Sequence, residues 1–250
     1  MIILKSMAEI EVMADANKIV GEVLQLLREQ VKAGMTTDDL DQIANEAIKK
    51  RGGIPTFIGY RGYPKSLCTS VNEEVVHAIP GSRVLNEGDI IGIDCGVTYK
   101  GFVGDSAITV GVGEISAAAQ QLIRVTEESL YLGIEKIVEG NRIGDIGAAV
   151  QAHAEKFGYS IVTDFVGHGI GRQMHEEPQV PNYGKPGTGP RIKVGMVLAV
   201  EPMVNQGTAA VEVLGDDWTV VTKDRKLSAH FEHSIACTSQ GPRILSKLGA

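Results

Sequence analysis

Apolar positions in the first fifty residues fall at helical spacing. Ser6-Met7-Ala8-Glu9 has the form of a capping box, and Ile10, Met13, Val20, Leu24, Leu27 and Val31 follow on one face until Gly34. Thr36-Thr37-Asp38-Asp39 opens a second helix with Leu40, Ile43, Ala44, Ala47 and Ile48 inside, and Gly52-Gly53 stops it. A loop rich in Gly, Pro and Tyr (54–66) then leads into strands. The same order returns. A helix from about Ser116 to Glu139 carries Leu122, Ile123, Leu130, Ile134 and Ile137, and another from about Gly144 to Lys156 carries Ile146, Ala149, Val150 and His153. A shift of 106 lays Gly34 on Gly140, Asp39 on Asp145 and Gly52 on Gly158. A shift of 107 lays the apolar run 90–94 over 197–201, so that Asp94 falls on Glu201. The pattern predicts a duplicated α+β chain: a pseudo-twofold antiparallel sheet core with two helix pairs outside, in one domain.

Composition narrows the class. The 250 residues are 43% hydrophobic and 22% charged, enough for a full core and too apolar for disorder. A net charge of −7 argues against general nucleic-acid binding and against an anionic membrane surface. Cys68, Cys95 and Cys237 are scattered and odd in number, which favours a reducing compartment. The apolar start Met1-Ile2-Ile3-Leu4 is cut by Lys5, too short for a signal peptide. No window approaches the roughly 18–20 apolar residues that span a membrane. The expectation is a soluble, cytoplasmic protein.

Candidate chemistry sits in the strands. Ile90–Gly96 and Val197–Val204 are buried-type runs, each carrying one acid, Asp94 or Glu201. Asp105 and Glu232 each open a further predicted strand. An isolated ionised carboxylate in such a place is costly unless it is paired or bound to metal. Asp94 and Asp105 are symmetric about the point between Tyr99 and Lys100, so a two-residue hairpin loop there would set them face to face. Glu201 and Glu232 are symmetric about the point between Asp216 and Asp217, so a long nested hairpin would pair them too. No basic residue flanks these acids within either strand. Two divalent cations would balance four carboxylates, which points to a two-metal site of hard oxygen ligands.

Six histidines surround this reading. His168 lies in Gly167-His168-Gly169, where flanking glycines allow close backbone approach and leave the imidazole open, as a metal ligand or catalytic group would need. His77 and His175 each begin an H-x-x-P motif ahead of the acid-bearing strand of their own half. His233, next to Glu232, should point to the other sheet face. His153 reads as a satisfied helical histidine, and His230 as a loop or rim residue.

The set Asp94, Asp105, His168, Glu201, Glu232 has the order and spacing of the ligands in the methionine aminopeptidases. The strings Gly59-Tyr60-Arg61-Gly62-Tyr63-Pro64-Lys65-Ser66 with Cys68, His175-Glu176-Glu177-Pro178, Glu201-Pro202 and Thr222-Lys223-Asp224 resemble that family as well. The likeness covers essentially the whole chain and is closest to the compact type I branch. It implies the pita-bread fold, a single catalytic domain over 1–250 (pseudo-repeats about 1–115 and 116–250), and hydrolytic removal of N-terminal methionine when the next residue is small. It also implies two divalent ions (Mn, Fe(II), Co or Zn), with Asp94 on the first, His168 and Glu201 on the second, and Asp105 and Glu232 shared. A water or hydroxide bridging them would be the nucleophile. Glu201 would shuttle the proton, His175 steady the oxyanion, and His77 contact the scissile amide. Tyr60, Tyr63, Cys68 and Trp218 would line the methionine pocket. Met174 and Phe57 depart from the family's usual pocket residues. The implied partners are N-terminal Met peptides and nascent chains, transiently at the ribosome, for a monomer without membrane or specific nucleic-acid contacts. Rival readings are a Xaa-Pro peptidase of the same fold, which would carry an added N-terminal domain, and a non-enzymatic adaptor, in which ligands would be broken.

Overall fold

The computed structural model describes residues 1–247. In chain order the elements are α1 (Met7–Gln30), α2 (Thr37–Lys50), β1 (Ile54–Pro55), β2 (Leu67–Val71), β3 (Glu74–Val76), β4 (Ile90–Tyr99) and β5 (Phe102–Gly111) in the first half. The second half holds α3 (Ala117–Ile134), α4 (Ile143–Lys156), β6 (Ser160–Ile161), β7 (Gly167–Gly169), β8 (Glu176–Val180), β9 (Val197–Val200) and β10 (Met203–Asn205). It closes with β11 (Val211–Val213), β12 (Val220–Thr222), β13 (Ser228–His230), β14 (His233–Thr238) and β15 (Gly241–Ile244).

The capping box forms as the sequence demands. Ser6 Oγ accepts from the Glu9 amide (3.3 Å), and the Glu9 carboxylate accepts from the Ser6 amide (3.0 Å). Such a cap stabilises a helix by about 1 kcal/mol. The duplication reaches individual hydrogen bonds. The Asp39 carboxylate accepts from the Thr36 amide and Asp145 from that of Arg142, both at 2.7 Å. Gly34 N–H donates to Leu85 O and Gly140 N–H to Ile192 O. Gly34, Gly52 and Gly88 have positive φ, as do their counterparts Gly140, Gly158 and Gly195. The helix in the second half ends earlier than its apolar spacing suggests. α3 stops at Ile134, and turns over 134–141 carry Ile137 into the core while freeing Gly140 to reach Ile192.

The sheets are mostly antiparallel ladders. β4 pairs with β5 on one side and with β1 and β2 on the other, while β15-β14-β9-β7-β8 form the second half's main sheet. The largest buried cluster joins both halves, with Leu24, Leu27, Leu40 and Ile93 beside Ile134, Ile146, Ile192 and Leu198. Each such side chain contributes about 1.5–3 kcal/mol by leaving water. A seam of hydroxyls joins β5 to β13 and β14. Ser106 Oγ donates to Glu232 O (2.5 Å), Ser234 Oγ to Asp105 O (2.8 Å) and Thr109 Oγ1 to His230 O (2.7 Å). Ala107 and Glu232 complete it as an isolated β-bridge. No helix among the described residues is long and apolar enough to cross a membrane.

Candidate metal centre and apolar pocket

The first-half acids come from one hairpin, with a register that differs from the expected one. The turn is Lys100-Gly101, both at positive φ, so Tyr99 pairs with Phe102. Asp94 therefore faces Ala107, and Asp105 faces Gly96. The acids sit on a diagonal, two residues apart on the same face. The strand carrying Asp105 begins three residues earlier than predicted, at Phe102. The turn moves by one residue because the glycine must occupy a left-handed position.

In the second half the nested hairpin forms as predicted. Val200 pairs with His233 and Met203 with His230, so Glu201 and Glu232 lie in register between these pairs. The same register runs out to Val211–Thr222 and Val213–Val220. β14 itself starts at His233, one residue after Glu232, because Glu232 spends its backbone on Ala107 across the seam. His168 lies in β7 opposite Ala199, two residues from Glu201, rather than in a loop. Its glycines are required. A Cβ on Gly167 would stand 2.4 Å from Ala199 O, and one on Gly169 2.3 Å from Glu177 O.

Four carboxylates and His168 thus meet at the floor of one cavity of about 160 Å³. His168 Nε2 is 3.5 Å from Glu201 Oε1 and 3.9 Å from Asp105 Oδ2. Ligand atoms of Asp105, His168 and Glu232 lie within 4.8 Å of one another. Burial and neighbouring negative charge push the Asp105, Glu201 and Glu232 carboxyls well above the usual range; burial raises Asp94 to about 7. Asp94 Oδ1, Asp105 Oδ1 and Glu232 Oε1 are buried without a hydrogen-bond donor. No lysine or arginine among the described residues forms an ion pair with any of the four. Unpaired oxygen donors with one imidazole fit divalent cations, which would replace mutual repulsion with attraction.

The cavity's walls are apolar. Tyr63 is held with its hydroxyl 2.9 Å from Leu67 O, and Trp218 packs edge-on against it at 4.9 Å. Cys68 lies opposite Asp94 in the β2–β4 ladder, and burial raises its thiol pKa. Phe57 and Met174, the two departures, both line the cavity. Phe57 fills the space left by Gly96, where a Cβ would stand 2.5 Å from its ring. A larger groove of about 970 Å³ beside α1 gathers surface charges, among them the ion pairs Glu11–Arg243 and Glu22–Arg51.

Two further histidines stand at the mouth. His175 stacks on Tyr60 (5.4 Å), takes its hydroxyl at Nδ1 (2.7 Å), and lies 4.2 Å from the His168 ring. Desolvation and the Arg61 charge lower its pKa. His77 adopts φ 61° and packs edge-on against Phe165 (5.5 Å) and Trp218 (6.4 Å); burial and His175 push its pKa down to about 4. His153 is satisfied by Glu128 at 2.9 Å. His233 turns away from the cavity, with Nδ1 2.8 Å from Ser246 Oγ.

Two features escape the sequence reading. His230 is a buried strand residue, not a rim residue, with Nε2 unpartnered and 3.9 Å from Glu201 Oε2. The nested-hairpin count that pairs Glu201 with Glu232 also sets His230 opposite Met203, so it could have been placed. Lys5 and Glu176 form a buried ion pair at 2.6 Å that ties the N-terminal arm to the loop presenting His175. Gly171 makes room for it, since a Cβ there would meet Lys5 Cε at 2.5 Å.

Residues 11–239 match the sequence model of Metallopeptidase family M24, and the chain belongs to that family. Its similarity to individual members extends over nearly its full length. The methionine aminopeptidase of Clostridium acetobutylicum is 55% identical over 98% of this chain and 99% of its own. The crystal structure of methionine aminopeptidase from Rickettsia prowazekii superposes with a TM-score of 0.98 at 40% identity, covering 99% of this chain and all of that one. The methionine aminopeptidase structure from Thermotoga maritima gives 0.97 at 45% identity, covering 99% and 100%. The architecture is the pita-bread fold that the sequence resemblance implies.

Proposed function

We propose that this chain is a single catalytic domain that removes N-terminal methionine from peptides and nascent proteins when the second residue is small. The observation that carries this reading is the junction of a carboxylate-and-imidazole floor with a narrow cavity walled by Tyr63, Cys68, Met174 and Trp218. The cavity's 160 Å³ is close to the roughly 150 Å³ of an apolar cavity that takes up one benzene, room for one side chain. A thioether suits walls of aromatic rings and sulfur.

Asp94, Asp105, His168, Glu201 and Glu232 would hold two divalent cations, of which Mn, Fe(II), Co and Zn all suit the donor set. When bound, the ions supply Lewis-acid polarisation and neutralise the carboxylates. The chain's own residues do the rest. The free α-amine of the substrate is held at the floor, beside the five ligand residues. His175 hydrogen-bonds the developing oxyanion, oriented by Tyr60. As water adds through its oxygen to the scissile carbonyl carbon, the Glu201 carboxylate takes the water's proton and passes it to the leaving amine when the C–N bond breaks. His77 contacts the scissile amide from the opposite side. The protein acts in the cytoplasm as a monomer, on chains near the ribosome.

Peptide hydrolysis tests the reading. Met-Ala-Ser should release free methionine, whereas Met-Lys-Ser should be cleaved far more slowly and N-acetyl-Met-Ala-Ser not at all. Equal rates on the first two, or preferential cleavage of a Xaa-Pro peptide, would overturn it.

A further inference from the structure

The charges lining the cavity are sorted by depth. All four carboxylates lie at the floor, and among the described residues Arg61 is the one arginine or lysine in the lining. Arg61 stands at the mouth. Its guanidinium lies 5.4 Å from the Tyr60 ring centroid, and its charge bears on His175. Its side chain is exposed and forms no ion pair among the described residues. Asp216, two residues before the lining Trp218, is engaged in its own turn, accepting from the Trp218 and Thr219 amides.

The backbone makes the placement deliberate. Gly59, Arg61 and Gly62 all have positive φ (81°, 50° and 89°). Glycine adopts that conformation freely, whereas an L side chain is strained in it, and strain of this kind gathers at functional sites. Arg61 and His77 are two of the six non-glycine residues with positive φ among the described residues, and both line this one cavity.

A peptide anchored by its amine at the floor and its first side chain in the apolar pocket must leave past His175, toward Arg61. We propose that Arg61 is a specificity-determining residue that favours acidic side chains at the third and fourth positions of the substrate. The inference rests on the proposed aminopeptidase reading. A solvent-exposed ion pair of this type changes affinity by about two- to fivefold and weakens as salt screens it.

The test uses C-terminally amidated peptides Met-Ala-Xaa-Xaa-Ser with Xaa as Glu, Gln or Lys, so that no terminal carboxylate contributes. In low salt, kcat/KM should rank Glu over Gln over Lys, with Glu exceeding Lys by about two- to fivefold and the gap closing near 0.5 M salt. Arg61→Asn, whose side chain tolerates the left-handed conformation, should bring the Glu-to-Lys ratio close to one. Arg61→Asp should invert it, and Arg61→Lys should retain most of it. Metal content measured alongside guards against a collapsed site. A ratio near one in the parent protein, or an unchanged ratio in Arg61→Asn, would overturn the proposal. Failure to cleave the neutral Gln peptide would instead overturn the aminopeptidase reading beneath it.

Discussion

The two halves place an acid pair and a histidine with different backbones. In the first half, β4 and β5 run as an unbroken ladder from Ile90–Gly111 to Tyr99–Phe102, and Asp94 and Asp105 are fixed on it diagonally. In the second, the ladder breaks at Glu201-Pro202, between the Val200–His233 and Met203–His230 pairs. Proline has no N–H to donate, and Glu201 O is taken by Asn182 Nδ2 at 3.0 Å. The histidines are exchanged rather than repeated. His77 of the first half is held by Phe165 and Trp218 of the second, and His175 of the second by Tyr60 of the first. The duplication thus yields a continuous sheet that fixes positions and an interrupted one in which side chains have room to act. Neither His77 nor His175 is held by its own half, so neither half would make a complete site alone.

The comparison can be broken most severely at the floor. Chelation should abolish peptidase activity, and added Mn, Fe(II), Co or Zn should restore it. His168→Ala should weaken metal binding, while His175→Ala and His77→Ala should leave metal content intact. Elemental analysis of the three variants decides this, and metal loss confined to His175→Ala would reverse the assignment of ligand and oxyanion roles.

A smaller effect separates the exchanged histidines. His175→Ala should lower kcat by about 10²–10³ with little change in KM, the range for one oxyanion donor. His77→Ala removes a contact made before the transition state as well as in it. It should shift both parameters, by about tenfold in kcat/KM, and in a way that depends on the substrate's second residue. Identical profiles for the two variants in steady-state kinetics would contradict the division.

The smallest effect concerns stability. His77 keeps its neutral form in the folded chain down to about pH 4, whereas an unfolded histidine takes up its proton near 6.5. The folded pKa is depressed, so the unfolded state binds more protons between these values and the parent loses stability as pH falls through that window. The buried carboxyls act in the opposite sense, so the informative quantity is a difference. In metal-free protein, the parent should lose stability relative to His77→Gln between pH 6.5 and 4. Urea unfolding at several pH values checks it, and a pH-independent difference would refute it.

The sequence shows this site well where spacing alone decides, and poorly where a turn or a partner does. Glu201 and Glu232 could be paired by counting because one register holds from Val200–His233 out to Val213–Val220. The same count set Asp94 against Asp105 one turn position too early, because it ignored the left-handed pair Lys100-Gly101. The helix pairs were visible from Ser6, Thr36 and the glycines Gly34 and Gly140, whose roles are local. The end of α3 was not, because Ile137 is buried by a tertiary contact that mimics helical spacing. The Lys5–Glu176 pair escaped for the same reason, since its partners lie 171 residues apart and no local pattern announces them, whereas His230 lay within reach of the same hairpin count.

The hydroxyl seam gives the acidic floor a built-in gauge. Ser106 and Ser234 each grip the main-chain carbonyl of an acid from the other copy, at 2.5 and 2.8 Å. Their partners lie 126 and 129 residues away along the chain. The spacing between Asp105 and Glu232 is therefore not inherited from the helices and loops that separate them in sequence. It is measured locally, backbone against hydroxyl. Insertions in those loops, or drift between the copies after duplication, can accumulate without altering the distance between the acids, provided both serines keep their hold.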